Sequence, residues 1–133
     1  MDPDVAPRAI VAGHGDLPAG LVSAVEQITG RGNVLIPFTN AELGREEIES
    51  GLRDLITLHR VNVIFTDLPG GSATLAARRV QRDLPEVAIV TGVSLSALVD
   101  FVFCPSDLSP REAAAHAAEK GRAAILSFLS ECR

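Results

Sequence analysis

Short apolar runs alternate with segments of helical period along nearly the whole chain. Arg8 to Ala12, Asn33 to Phe38, Val61 to Thr66 and Val87 to Val90 read as strands. Between the first two, Leu17 to Ile28 carries apolar residues at 17, 21, 25 and 28, the spacing of one helix face. Gly30 and Gly32 end that helix. Gly44 to His59 reads as a second, with Leu43, Ile48, Leu52, Leu55 and Ile56 inward and Glu46, Glu47, Glu49 and Arg53 outward. Ser72 to Arg82 is a third, with Ser72 as its N-cap. Leu95 to Phe103 is a fourth. Ser109-Pro110-Arg111-Glu112 has the cap, first-turn proline and early acid of a helix start, and predicts a fifth helix to about Gly121. Strands alternating with helices imply right-handed crossovers and a parallel sheet covered on both faces. The expectation is a doubly wound α/β fold with strand order 2-1-3-4. One domain over residues 8–133 follows a disordered, acidic and proline-rich lead over residues 1–7. Ala123 to Leu129 fits either more helix or a short final strand.

Two of these apolar runs end in polar residues and glycine. The first runs into Gly13-His14-Gly15, the third into Asp67-Leu68-Pro69-Gly70-Gly71-Ser72. In an open α/β sheet, ligands bind beyond the carboxyl ends of the strands. Parallel strands therefore bring a histidine, an aspartate and a glycine-rich turn to one crevice. Imidazole, carboxylate and free backbone N–H groups suit nucleophilic or acid/base chemistry on an anionic group. A solvated strand-end histidine, a capping acid and a plain turn are the alternative for each feature alone. Their meeting at one sheet edge favours a site.

Other chemistries fit less well. The spacing of Gly13, Gly15 and Gly20 departs from the dinucleotide fingerprint, with Pro18 where a glycine is needed, and no P-loop sequence occurs. A net charge of -5 argues against nucleic acid as the main partner. Cys104 and Cys132 have no ligand or redox spacing and suit a reducing cytosol. No cofactor or metal is expected. No apolar stretch reaches the roughly 20 residues of a membrane span. His59, ending the second helix, and His116, in an alanine-rich helix, read as structural or solvated. Arg78, Arg79 and Arg82 read as a solvated helix face or, second, as a docking patch.

These motifs resemble a known family. Val11-Ala12-Gly13-His14-Gly15 followed by Leu21, then Phe65-Thr66-Asp67-Leu68-Pro69-Gly70-Gly71-Ser72, then Val90-Thr91-Gly92-Val93-Ser94-Leu95, resemble the mannose-family enzyme IIA component of the bacterial sugar phosphotransferase system. The likeness continues through Glu119-Lys120-Gly121-Arg122.

The resemblance implies a phosphohistidine carrier. His14 would take a phosphoryl group from the carrier protein HPr and pass it to a IIB component, here on a separate chain. Asp67 would hold the imidazole, and Gly15, Gly71 and Ser72 would meet the phosphoryl oxygens. Apart from the resemblance, Leu17, Pro18, Leu68, Pro69 and Leu95, in loops or first turns at the same edge, read either as an apolar docking rim for these partners or as ordinary scattered surface apolars. The resemblance further implies a cytoplasmic homodimer in which the segment from Ala123 to Leu129 crosses as an antiparallel strand. Three departures stand out: Gly13 replaces the usual Thr, Ala73-Thr74-Leu75 replaces Pro-Phe-Asn, and Ser94 and Ser96 replace Asn and Pro. A regulatory phosphoprotein, or the phosphocarrier of a dihydroxyacetone kinase, is the alternative. A ligand-binding module whose histidine takes no phosphoryl group ranks below these.

Overall fold

A computed structural model describes residues 6–105 and 107–131. Most of the expected lead, and Cys132, lie outside them. Four parallel strands, β1 (Ala9–Gly13), β2 (Leu35–Thr39), β3 (Val63–Thr66) and β4 (Ala88–Val90), form one sheet in the order β2-β1-β3-β4. The intervening helices are α1 (Leu17–Thr29), α2 (Arg45–His59), α3 (Ser72–Asp83), α4 (Leu95–Val102) and α5 (Pro110–Ala123). The fold is the doubly wound α/β architecture expected from the alternating pattern.

The central strands are apolar throughout because both faces are covered. On one face, Ala9 and Val11 of β1 and Val63 and Phe65 of β3 pack with Val25 of α1, Leu98 and Phe101 of α4 and Ala117 of α5. On the other, Ile10, Ala12 and Ile64 meet Ile48, Leu52 and Ile56 of α2 and Ala76 and Val80 of α3. Successive strand residues thus serve opposite cores, the period of two that a strand imposes. Pro37, which has no N–H for a ladder, sits in β2, an edge strand.

Local signals set most boundaries. Ser109 and Glu112 form a reciprocal capping box at α5, with Pro110 in the first turn. Other features differ from expectation. Gly71, not Ser72, is the N-cap of α3, and Ser72 is its first helical residue. Arg79 is no solvated cation: half-buried, it pairs with Glu49 of α2 at 3.4 Å, while Arg78 and Arg82 are exposed. Neither the helix nor the strand reading of the C-terminal segment is met within the single chain: α5 ends at Ala123, and residues 125–131 take no regular secondary structure. No helix among the described residues is long and apolar enough to cross a membrane.

Candidate functional site

Parallel pairing aligns the carboxyl ends of three strands. Gly13 is opposite Thr39, and Ala12 is opposite Thr66. The residues that follow, His14, Asn40 and Asp67, therefore emerge side by side at one edge of the sheet. The Asp67 Oδ2 atom accepts the His14 backbone N–H at 2.9 Å and lies 2.7 Å from His14 Nδ1. The two residues are 53 positions apart in sequence. The Asp67 side chain is 7% exposed and that of His14 is 55% exposed. The carboxylate is thus part of the framework, and the ring stands at the surface.

Burial pushes the Asp67 carboxyl up. Hydrogen bonds from the His14 ring and backbone N–H, together with the imidazole's charge, outweigh it and hold the group below the usual carboxylate range. Both bonds converge on Oδ2, while Oδ1 is buried without a hydrogen bond among the described residues. In the neutral ring, an ionised Asp67 favours the tautomer that donates from Nδ1, which leaves the lone pair on Nε2.

Two glycines permit this geometry. A Cβ on Gly13 would fall 2.8 Å from Asp67 Cγ, so only glycine lets the carboxyl approach this closely. Gly15 turns the chain with φ +54°, and Leu17 N–H then donates to the His14 carbonyl at 3.1 Å. A Cβ on Gly71 would lie 3.5 Å from His14 Cε1, so the start of α3 abuts the imidazole. No side chain caps α3. Its first N–H groups lack intrahelical acceptors, an arrangement that suits an anion. Gly71 N–H is already engaged with the Leu68 carbonyl at 3.3 Å, which leaves Ser72 and the next residues as the donors.

Two contributors escaped the sequence reading. Asn40 donates its backbone N–H to the Gly13 carbonyl at 2.9 Å and its amide to Ser72 Oγ at 2.7 Å. With its oxygen accepting from Asn40, Ser72 keeps its own hydroxyl hydrogen for another acceptor. Thr74 is buried, and its hydroxyl bonds Thr66 Oγ1 and the Leu68 carbonyl, tying down the loop that carries Asp67. A polar residue directly after an apolar strand was the signal available for Asn40. Thr74 had none, because a buried threonine in a helix reads as filler.

The expected rim is only partly assembled. Leu17 and Leu68 are exposed at 44% and 53%, and Pro69 is exposed. Leu95 is half-buried against the core. Pro18 is buried in the first turn of α1 and presents no docking surface. Neither of the other two histidines joins His14: His59 lies in the last turn of α2, and His116 Nδ1 pairs with Asp100 Oδ2 at 2.8 Å.

Fold and site together define a class: an open α/β domain with an exposed histidine, backed by a carboxylate, beside an uncapped helix start. A family profile described as "PTS system fructose IIA component" matches residues 8–118, and the chain belongs to that family. Solved structures agree on the fold. A mannose/sorbose-specific IIA subunit from Enterococcus faecalis superposes with a TM-score of 0.79 at 21% identity, over 97% of this chain and 100% of that one. A IIA component from Streptococcus agalactiae gives 0.75 at 19% identity, over 91% and 96%. A IIA protein associated with the fucose utilization operon of Streptococcus pneumoniae gives 0.70 at 23%, over 87% and 90%. No curated protein sequence matches the chain.

Proposed function

We propose that this chain is a phosphohistidine carrier of a sugar phosphotransferase system. His14 accepts a phosphoryl group from phospho-HPr and passes it to a IIB component. The observation that carries this reading is the 2.7 Å contact between Asp67 Oδ2 and His14 Nδ1 beneath a half-exposed ring. Family membership supports it, since IIA components are phosphotransferase components.

In the first step the Nε2 lone pair of His14 attacks phosphorus. The new N–P bond forms as the bond from phosphorus to the donor imidazole breaks, and the donor leaves neutral. Nδ1 keeps its proton, held by Asp67, and the carboxylate balances the positive charge on the phosphorylated ring. Backbone N–H groups of Gly15 and of Ser72 and its neighbours face the phosphoryl oxygens, beside Gly71. The Ser72 hydroxyl donates to the same group. The second step reverses these events toward the IIB acceptor. Phosphoryl transfer relies on positioning and charge stabilisation, which a small domain supplies.

Leu17, Leu68 and Pro69, with the half-buried Leu95 at their border, form the surface that partners cover during transfer. The net charge of -5 complements a basic carrier. Ile125, Leu126, Phe128 and Leu129, between 68% and 89% exposed, are buried in a homodimer by crossing to the partner's sheet. There they pair with the free edge of β4. The compartment for such a carrier is the cytoplasm.

Incubation with enzyme I, HPr and phosphoenolpyruvate tests the proposal. One acid-labile phosphoryl group on the wild type and none on His14→Ala supports it. Label retained by His14→Ala overturns the site.

A further inference from the structure

A second cluster of chemically active side chains lies toward the opposite edge of the sheet. Asp100 belongs to α4, Cys104 follows its C-terminus, and His116 stands in the middle of α5. One ligand atom from each lies within 4.8 Å of the others, and Asp100 Oδ2 is 2.8 Å from His116 Nδ1. Cys104 is buried, Asp100 is half-buried and His116 is exposed. The Arg8 guanidinium donates to the Cys104 carbonyl at 3.0 Å and lies over the Phe101 ring, which fixes the backbone that carries the thiol.

We propose that Asp100, Cys104 and His116 bind one Zn²⁺ ion, with water as the fourth ligand. Thiolate, imidazole and carboxylate are the donors zinc takes, and three protein ligands with one open position is a common coordination. Tetrahedral bonds of about 2.0–2.3 Å put neighbouring donors roughly 3.3–3.6 Å apart. The cluster reaches that spacing if the His116–Asp100 contact opens by roughly half an ångström and Cys104 closes in by up to about 1.5 Å. The exposed His116 ring is free to make that adjustment.

The step balances in charge and protons. Cys104 releases its thiol proton to water. His116 gives its Nδ1 lone pair to the metal and carries its N–H on Nε2. The carboxylate and thiolate charges then neutralise the dication. The ion would clamp α4 to α5 just ahead of the exposed tail. It is independent of chemistry at His14.

Cobalt titration of the metal-free full chain carrying Cys132→Ser tests the assignment. One equivalent of Co²⁺ should give a near-ultraviolet thiolate band and the strong visible bands of a tetrahedral site, and Zn²⁺ should displace both. Cys104→Ser should lose the thiolate band. His116→Ala changes an exposed ring, so the fold should persist while affinity falls by at least ~10-fold. Zn²⁺ should raise the melting temperature of the parent but not of His116→Ala. His14→Ala should bind as the parent does. Absence of the thiolate band, equal affinity in His116→Ala or loss of binding in His14→Ala would overturn the site. Asp100 and His116 would then be a hydrogen-bonded tie between two helices.

Discussion

The Asp67 carboxyl group occupies the space that a side chain at Gly13 would need: a Cβ there would sit 2.8 Å from both Cγ and Oδ2. The missing Cβ lets one carboxylate oxygen bond the ring and the backbone of His14 together. Where the resemblance leads one to expect Thr, this chain has chosen close approach over a hydroxyl. Gly13→Ala should therefore displace Asp67, lower stability by ~1–3 kcal/mol through overpacking and slow phosphorylation of His14. Gly13→Thr should be at least as damaging. Urea midpoints and initial labelling rates measure both effects, and a Gly13→Thr variant that matches the wild type would show that the loop relaxes freely.

Asp67 also gives the fold a pH dependence. Its carboxyl titrates below the ordinary value of 3.8 in the folded state. A depressed carboxyl contributes stability above its unfolded value, and that contribution is lost as pH falls through the folded value. Wild-type stability should thus drop as pH falls below about 5 and through the depressed folded value, and Asp67→Asn should show a shallower drop. Denaturant midpoints across that range provide the check. Asp67→Ala should label more slowly than wild type without losing the reaction, because Nε2 remains.

Thr74 ties the Asp67 loop to β3 from below. Thr74→Val keeps the shape but leaves the Leu68 carbonyl and Thr66 hydroxyl short of a partner, at a cost of ~1–3 kcal/mol. Its labelling rate should fall with the wider freedom of Asp67. Thermal melting and the labelling assay on one preparation separate the two effects.

The sheet and the central pair were legible because they rest on strong local signals. Apolar runs ending in His14 and Asp67 fixed both the strands and their common edge, and the Ser109–Glu112 box marked α5. What escaped depends on three-dimensional packing. Asn40 reaches Ser72 only because β2 is next to β1, across a separation of 32 residues. Pro18 was expected to reach the rim from the first turn of α1, but that turn buries it. Arg79 looked solvated until α2 supplied Glu49. Asp100, Cys104 and His116 have no motif spacing, and only the packing of α4 on α5 joins them.

The apolar tail makes a separate prediction. Ile125, Leu126, Phe128 and Leu129 are among the most exposed apolar side chains described, and among the described residues β4, at the edge of the sheet, has only β3 for a neighbour. Water disfavours such a tail, and an added strand covers an open edge. The full chain should sediment as a dimer at micromolar concentration, and a chain ending at Ala124 should be monomeric. A monomeric full chain would contradict the dimer, and a dimer that survives truncation would contradict the exchange.

The central claim is that His14 Nε2 carries the phosphoryl group. Intact mass after incubation with enzyme I, HPr and phosphoenolpyruvate tests it most directly. Wild type, His59→Ala and His116→Ala should each gain one phosphoryl group that acid removes, and His14→Ala should gain none. An unlabelled wild type, or a labelled His14→Ala, would contradict the account.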